Sequence, residues 1–217
     1  MSDIFNEVDE EVRREQLKKL WERYGAYVIA LLVVVLLGVA AWQGYLWWET
    51  KKAAESGSKF EAAITLSDEG KQQEAQAAFA KLASEGSSGY RILAPLRAAA
   101  ELGRSDPAAA VKIYDELASD SSLGPMLQDF AGVRAGYLLV DTAAYDEMLR
   151  RLEPLTAANR PFRHSARALL TLSALRAGNA KAVRDWSEMV ITDPETPAGT
   201  RNRVEMYLAL VGADSKS

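Results

Sequence analysis

The sequence contains no cysteine. That excludes disulfides, thiolate metal sites and cysteine nucleophiles together, and it fits an oxidising compartment outside the cytoplasm. Histidine occurs once, at His164, so no pair of imidazoles can hold a metal. Its place just after Pro161 reads first as a helix start. No basic block exists either. The 26 Lys and Arg are scattered among 30 Asp and Glu, and a net charge of −4 gives a nucleic-acid partner no electrostatic support. Catalytic signatures are missing too. Gly86-Ser-Ser-Gly89 is not followed by the Gly-Lys-Ser/Thr of a phosphate loop, and Gly136 lacks a Gly-x-Ser-x-Gly context. The acidic pairs Asp115-Glu116 and Asp146-Glu147 stand beside Lys or Arg and read as solvated charge. The chain is expected to be no enzyme, with no cofactor, no metal and no small-molecule substrate.

One absence is local and organises the rest. From Tyr24 to Trp48 there is no Asp, Glu, Lys, Arg or His. About 20 apolar residues at about 1.5 Å rise each cross the hydrocarbon of a bilayer, so residues 24–48 suffice for one transmembrane helix. Trp21, Tyr24 and Tyr27 flank one end, and Trp42, Tyr45, Trp47 and Trp48 the other. These rings suit the headgroup layer, and membrane lipid is the implied neighbour. Gly38-Val39-Ala40 is a small-x-small triplet of signal-cleavage type. The long run and the long segment before it favour an uncleaved anchor. Arg13, Arg14, Lys18, Lys19 and Arg23 precede the span, and only Lys51, Lys52 and Lys59 follow at comparable distance. The positive-inside rule therefore puts the tail in the cytoplasm and the rest across the membrane, a type II single pass.

The cytoplasmic tail, residues 1–23, carries Ile4, Val8, Val12, Leu17, Leu20 and Trp21 at helical spacing amid dense charge, a row that Tyr24 continues into the span. An amphipathic helix on the inner leaflet or a partner, and a disordered tail with local helix, are both open readings.

The whole chain is 48% hydrophobic and 26% charged, ordinary for a folded protein, and residues 49–211 are Ala-rich and read as one domain. Periodic segments alternate with breaks at Gly70, 85–89, 103–107, 120–125, 141–142, 158–161, 178–179 and 193–197. Gly, Pro, Asn and Asp there stop or cap helices, and no segment alternates like a strand. Three series recur: Ala75, Ala110, Tyr145, Ala182; Phe79, Tyr114, Leu149, Trp186; and Leu82, Leu117, Leu152, Met189. All step by 35, 35 and 37, as do Ala63, Ala98, Val133 and Leu170 twelve residues upstream. This small–small–large pattern resembles the tetratricopeptide repeat, whose period is about 34 residues. Tyr145 departs from it where a small residue is expected. The predicted fold is all-α: one N-terminal transmembrane helix, then a TPR-like α-solenoid of about four hairpins. A capping helix follows, opened by Thr196 as N-cap and Pro197 at N1, and residues 212–217 read as frayed.

In such an array the first helices of the hairpins line a groove. The candidates facing it are Phe60, Ile64, Ile92, Leu102, Phe130, Arg134, Tyr137, His164, Arg167 and Thr171, unless several are core. An apolar groove with a few cationic points suits a polypeptide segment.

The layout resembles the YfgM family of Gram-negative bacteria. The phrases that carry this are Ser67-Asp-Glu-Gly-Lys71, Gly89-Tyr-Arg-Ile-Leu-Ala-Pro-Leu-Arg-Ala-Ala-Ala100 and Asp193…Thr196-Pro-Ala198. The tail here is longer than the family's. The resemblance implies an inner-membrane ancillary subunit of the Sec translocon, whose partners are channel subunits and a membrane-anchored periplasmic chaperone. An envelope-assembly or cell-division adaptor of the same architecture is the alternative expectation.

Overall fold

A computed structural model describes the backbone of residues 3–214 and the side chains of residue 18 and residues 20–211. Among the described residues the chain is helical throughout, with no strand. The elements are α1 (Asp3–Asp68), α2 (Gln72–Glu85), α3 (Ser88–Leu102), α4 (Pro107–Ser119), α5 (Gly124–Leu139), α6 (Tyr145–Leu152), α7 (Arg163–Arg176), α8 (Ala180–Ile191) and α9 (Ala198–Asp214). Short 3-10 turns at Ser121–Leu123 and Glu153–Leu155 join α4 to α5 and follow α6. The chain divides into two units, Met1–Ala54 and Glu55–Ser217, and α1 contributes to both.

In the first unit, α1 runs through the sequence-predicted tail, span and domain start without a break. The segment is long and apolar enough to cross a membrane, with a mean hydropathy of 2.5. Its apolar side chains are turned outward: Leu31, Leu36 and Trp47 are 65–67% exposed. An outward-facing apolar surface of this length is what the hydrocarbon of a bilayer accommodates. Tyr45 touches Trp42 and Trp48 at centroid distances of 6.5 and 6.4 Å. Arg23 lies over Tyr24, Lys51 over Trp47 and Lys52 over Trp48, at 5.5 to 5.8 Å. Cations and rings thus bracket the uncharged stretch at both ends. Of the tail's stripe, Ile4, Val8, Val12 and Leu17 lie outside the described side chains, while Leu20, Trp21 and Tyr24 are exposed.

The second unit is four helical hairpins and a closing helix. Glu55–Asp68 of α1 pairs with α2, α3 with α4, α5 with α6, and α7 with α8. The breaks are where local chemistry puts them. Gly70 turns at φ +78°, and the amides of Gly70 and Lys71 donate back to Ser67 and Leu66. Asp106 accepts from the Ala109 amide, with Pro107 opening α4, and Asn179 accepts from the Ala182 amide. One core cluster joins Ala63, Ala75, Phe79, Leu82, Ala94 and Ala98, and so binds the first hairpin to α3. Others join α3–α5 around Tyr114, and α5–α7 around Met148, Leu152 and Leu170. Small residues let these helices approach closely while one large side chain fills each gap.

The fourth hairpin departs from the predicted spacing. In α8 the buried positions are Val183, Ser187 and Val190, one residue after the predicted Ala182, Trp186 and Met189, of which Met189 is 39% exposed and the other two half-buried; in α7 the predicted Leu170 is fully buried, as is Thr171. Gly178, at φ +67°, stops α7 with the same bonding as Gly70, its amide and that of Asn179 donating to Leu175 and Ala174. Counted from these glycines, the equivalents of Ala63 and Ala75 are Thr171 and Val183, one residue later than Leu170 and Ala182. The glycine cap sets the register of α8, and the one-residue shift shows there, since Leu170 and Thr171 of α7 are both fully buried. Tyr145 also finds its explanation: its hydroxyl accepts from Trp186 Nε1 at 2.9 Å, linking the third and fourth hairpins.

α9 covers the last hairpin through Val204, Tyr207 and Val211, packed on Ala168, Val190, Ala174 and Val183. Its start differs from expectation. The amides of Thr200 and Arg201 turn back to the Pro197 carbonyl, so Pro197 is the cap and Ala198 begins the helix. The Thr196 hydroxyl instead meets His164 Nδ1 at 3.0 Å.

Candidate functional site

The predicted groove residues separate into three groups. The first is half-buried, with Phe60 and Ile64 packed at the joint between the first hairpin and α3. Phe60 is half-buried, with centroid distances of 5.2 Å to Phe79 and 5.3 Å to Tyr90. Ile64 is half-buried in the same cluster, and Ile92 and Leu102 are half-buried on α3.

The second group is internal wiring. Arg167 is 5% exposed. Its Nε and Nη2 donate to the Thr156 carbonyl at 3.0 and 2.7 Å, and Nη1 donates to the Met189 carbonyl and Asp193 Oδ2. Thr171 is fully buried, its hydroxyl donating to the Arg167 carbonyl. Neither offers anything to a partner, which corrects their placement in the groove. The reason is desolvation: a guanidinium this deep persists because each donor meets an internal acceptor. His164 belongs to the same cluster. Arg163 donates to Asp193 and Glu195, and Arg201 Nη2 donates to the Asp193 carbonyl at 3.0 Å. Hydrogen bonds from Arg163, above all, hold the Asp193 carboxyl well below the usual carboxylate range. Burial, then Arg163, push His164 below its ordinary value.

His164, Asp193 and Glu195 bring ligand-type atoms within 4.8 Å of one another. Both Asp193 oxygens and one of Glu195 already accept from guanidinium groups. Two arginines supply the positive charge a cation would bring, so the cluster is an ion-pair lock between α7 and the segment leading into α9.

The third group stays available. On α5, Phe130, Arg134 and Tyr137 stand at i, i+4 and i+7, and Met126 continues the row one turn earlier. Met126 is 61% exposed and Tyr137 43%. Phe130 is half-buried against Phe162 at 5.7 Å, and Arg134 is half-buried with no ion pair among the described residues. Asp129, next to Phe130, is 1% exposed and takes Arg160 Nη2 at 2.5 Å, which ties α5 to the chain ahead of α7. Burial pushes its carboxyl up, against the pull of Arg160. α5 is therefore a braced helix whose row opens to solvent at Met126 and Tyr137, with Phe130 and Arg134 half-buried between them. Met126 was missed by sequence counting; its place four residues before Phe130 was the available signal.

The profile of the tetratricopeptide repeat-like domain matches residues 18–167. Comparisons with curated proteins and with solved structures gave no match.

Proposed function

The chain belongs to the tetratricopeptide repeat-like domain family, and on that premise we propose a membrane-tethered scaffold whose α5 face holds a polypeptide segment at the Sec translocon. The observation that carries this reading is the α5 row of Met126, Phe130, Arg134 and Tyr137, apolar with one cation, on a helix whose other side is fixed by packing. Methionine and aromatic rings adapt to varied apolar side chains, and the arginine gives a polar anchor. The uncharged 24–48 segment is the anchor, with the tail that carries Arg13, Arg14, Lys18, Lys19 and Arg23 in the cytoplasm and the repeats in the periplasm of the inner membrane. Tethering brings the face to roughly millimolar effective concentration toward a membrane partner, so weak contacts suffice. The YfgM-like phrases at 67–71, 89–100 and 193–198 support channel subunits and a membrane-anchored periplasmic chaperone as those partners.

In-cell photocrosslinking tests this. A photoreactive residue at Tyr137 is expected to capture channel subunits or that chaperone, and one at the buried Val183 to capture nothing. Capture of division or wall-synthesis proteins from Tyr137 replaces the translocon reading with the adaptor reading. Loss of capture in Arg134→Ala and Met126→Ala variants is expected; unchanged capture sinks the α5 face as the site.

A further inference from the structure

The chain ahead of α7 touches the middle of the α5 row. Residues 157–162 read Ala-Ala-Asn-Arg-Pro-Phe. Other bonds clamp this segment at both ends. The Thr156 carbonyl accepts from Arg167 at 2.7 and 3.0 Å, and Arg163 Nε donates to Asp193 Oδ2 at 2.9 Å. Between the clamps Ala157, Ala158, Asn159 and Pro161 are exposed. Among the described residues, the backbone of 157–162 bonds only within its own turn and to the first turn of α7. Two side chains seat it. Arg160 Nη2 donates to Asp129 Oδ1 at 2.5 Å. The Phe162 ring stands 5.7 Å from that of Phe130 and rests on the edge of the α5–α7 core cluster.

The polar seat is incomplete. Asp129 is 1% exposed, yet its Oδ2 has no hydrogen-bond partner among the described residues, and neither has the buried Nε of Arg160. An orphaned polar atom carries a desolvation cost that no bond returns. Burial accordingly outweighs Arg160 in setting the proton affinity of Asp129. Lifting the segment breaks one bond and puts both orphaned atoms in water, so much of the loss is offset. A short exposed segment, clamped at its ends and held by one such catch, can open locally while the helices on either side stay folded.

We propose that residues 157–162 are a strap over Phe130, held shut by the Asp129–Arg160 catch, and that lifting it completes the docking row from Met126 through Phe130 to Tyr137. Phe162 then competes with the partner's side chains for the Phe130 ring, so the face is self-inhibited until the strap opens. This regulation rests on the reading of α5 as the docking face; the strap itself does not.

The chain has no cysteine, so Phe130→Cys places a single thiol under the strap. Its alkylation by a maleimide is read in the full chain in detergent. Adding Arg160→Ala should speed the reaction about tenfold or more, the factor carried by one charge-assisted hydrogen bond. Arg160→Lys keeps the charge and should restore most of the protection. Asn159→Ala, exposed on the same strap, should leave the rate unchanged. Matching melting curves check folding, and Arg160→Gln, which keeps the stem, replaces Arg160→Ala if that variant melts early. Equal rates with and without Arg160 overturn the proposal, and so does an equal rise in Asn159→Ala. Alkylation needs no partner, so it decides the strap apart from the docking reading. In cells, with Phe130 intact, Arg160→Ala should raise capture from a photoreactive residue at Tyr137 severalfold. Faster alkylation with unchanged or weaker capture overturns the inhibitory role. Absence of capture in both chains sinks the docking reading and the inhibition with it, while the alkylation rates still decide the strap.

Discussion

Arg167 shows how a single side chain can be misplaced by sequence and located by packing. Its spacing made it a cationic point in a groove; its five-donor fork instead closes Thr156, Met189 and Asp193. Replacing it by Met keeps the volume and strands those acceptors. Breaking such a buried set costs about 3 kcal/mol or more, and for a unit this size each kcal/mol lowers Tm by roughly 2–4 °C. Thermal melting of Arg167→Met should therefore show a drop of about 6–12 °C; a drop of a degree or less would mean the network is ornamental. His164 gives a pH signature. Its folded-state affinity for protons lies below the ordinary value, through burial and then Arg163, although Asp193 and Glu195 oppose this. The unfolded imidazole takes its proton near pH 6.5. The unfolded state thus binds more protons as pH falls through that value, and stability falls with it. Asp193 titrates far lower, so it stays ionised throughout. Tm should hold above about pH 7 and decline from roughly pH 6.5 to 5, and His164→Asn should flatten that decline; an equal decline in both would assign it elsewhere. None of these pairs was legible beforehand. Asp193 lies 26 to 30 residues from its arginines, and only the fold brings them together.

At the scale of elements the sequence was informative where breaks carry their own chemistry. Gly70, Asp106-Pro107 and Asn179 stop or cap helices through bonds their neighbours complete locally. The repeat pattern gave the hairpins and their small–large packing, and Phe79 and Tyr114 are buried as expected. It failed by one residue in α8, which takes its register from the Gly178 turn, and period counting does not see where that turn falls. It could not place a close approach either. A Cβ on Gly136 of α5 would stand 3.0 Å from Leu152 and 3.3 Å from Leu169, both buried. Gly136→Ala should cost about 1 kcal/mol or more through overpacking, whereas Gly199→Ala meets nothing within 4 Å and should gain a few tenths from helix propensity. Chemical denaturation of the two variants should move the midpoint in opposite directions; a shared direction would contradict the α5–α6–α7 packing.

For the molecule as a whole, a helix apolar enough to span a bilayer precedes a repeat unit with a braced α5 face. The uncharged stretch was legible at once, since charge in hydrocarbon is costly and its absence over residues 24–48 is conspicuous. What the sequence did not convey is that the helix continues unbroken to Asp68, so that one element holds both the bilayer-length apolar stretch and the first wall of the repeats. No Pro interrupts it, and its internal glycines are tolerated.

The claim on which the functional reading turns is that the repeats face the periplasm from a permanent anchor. Protease added outside spheroplasts measures it directly. The account predicts that Glu55–Ser217 is digested while the segment before Trp21 survives, and that this protected piece sediments with the membrane. Protection of the repeat unit with clipping of the first twenty residues would contradict it.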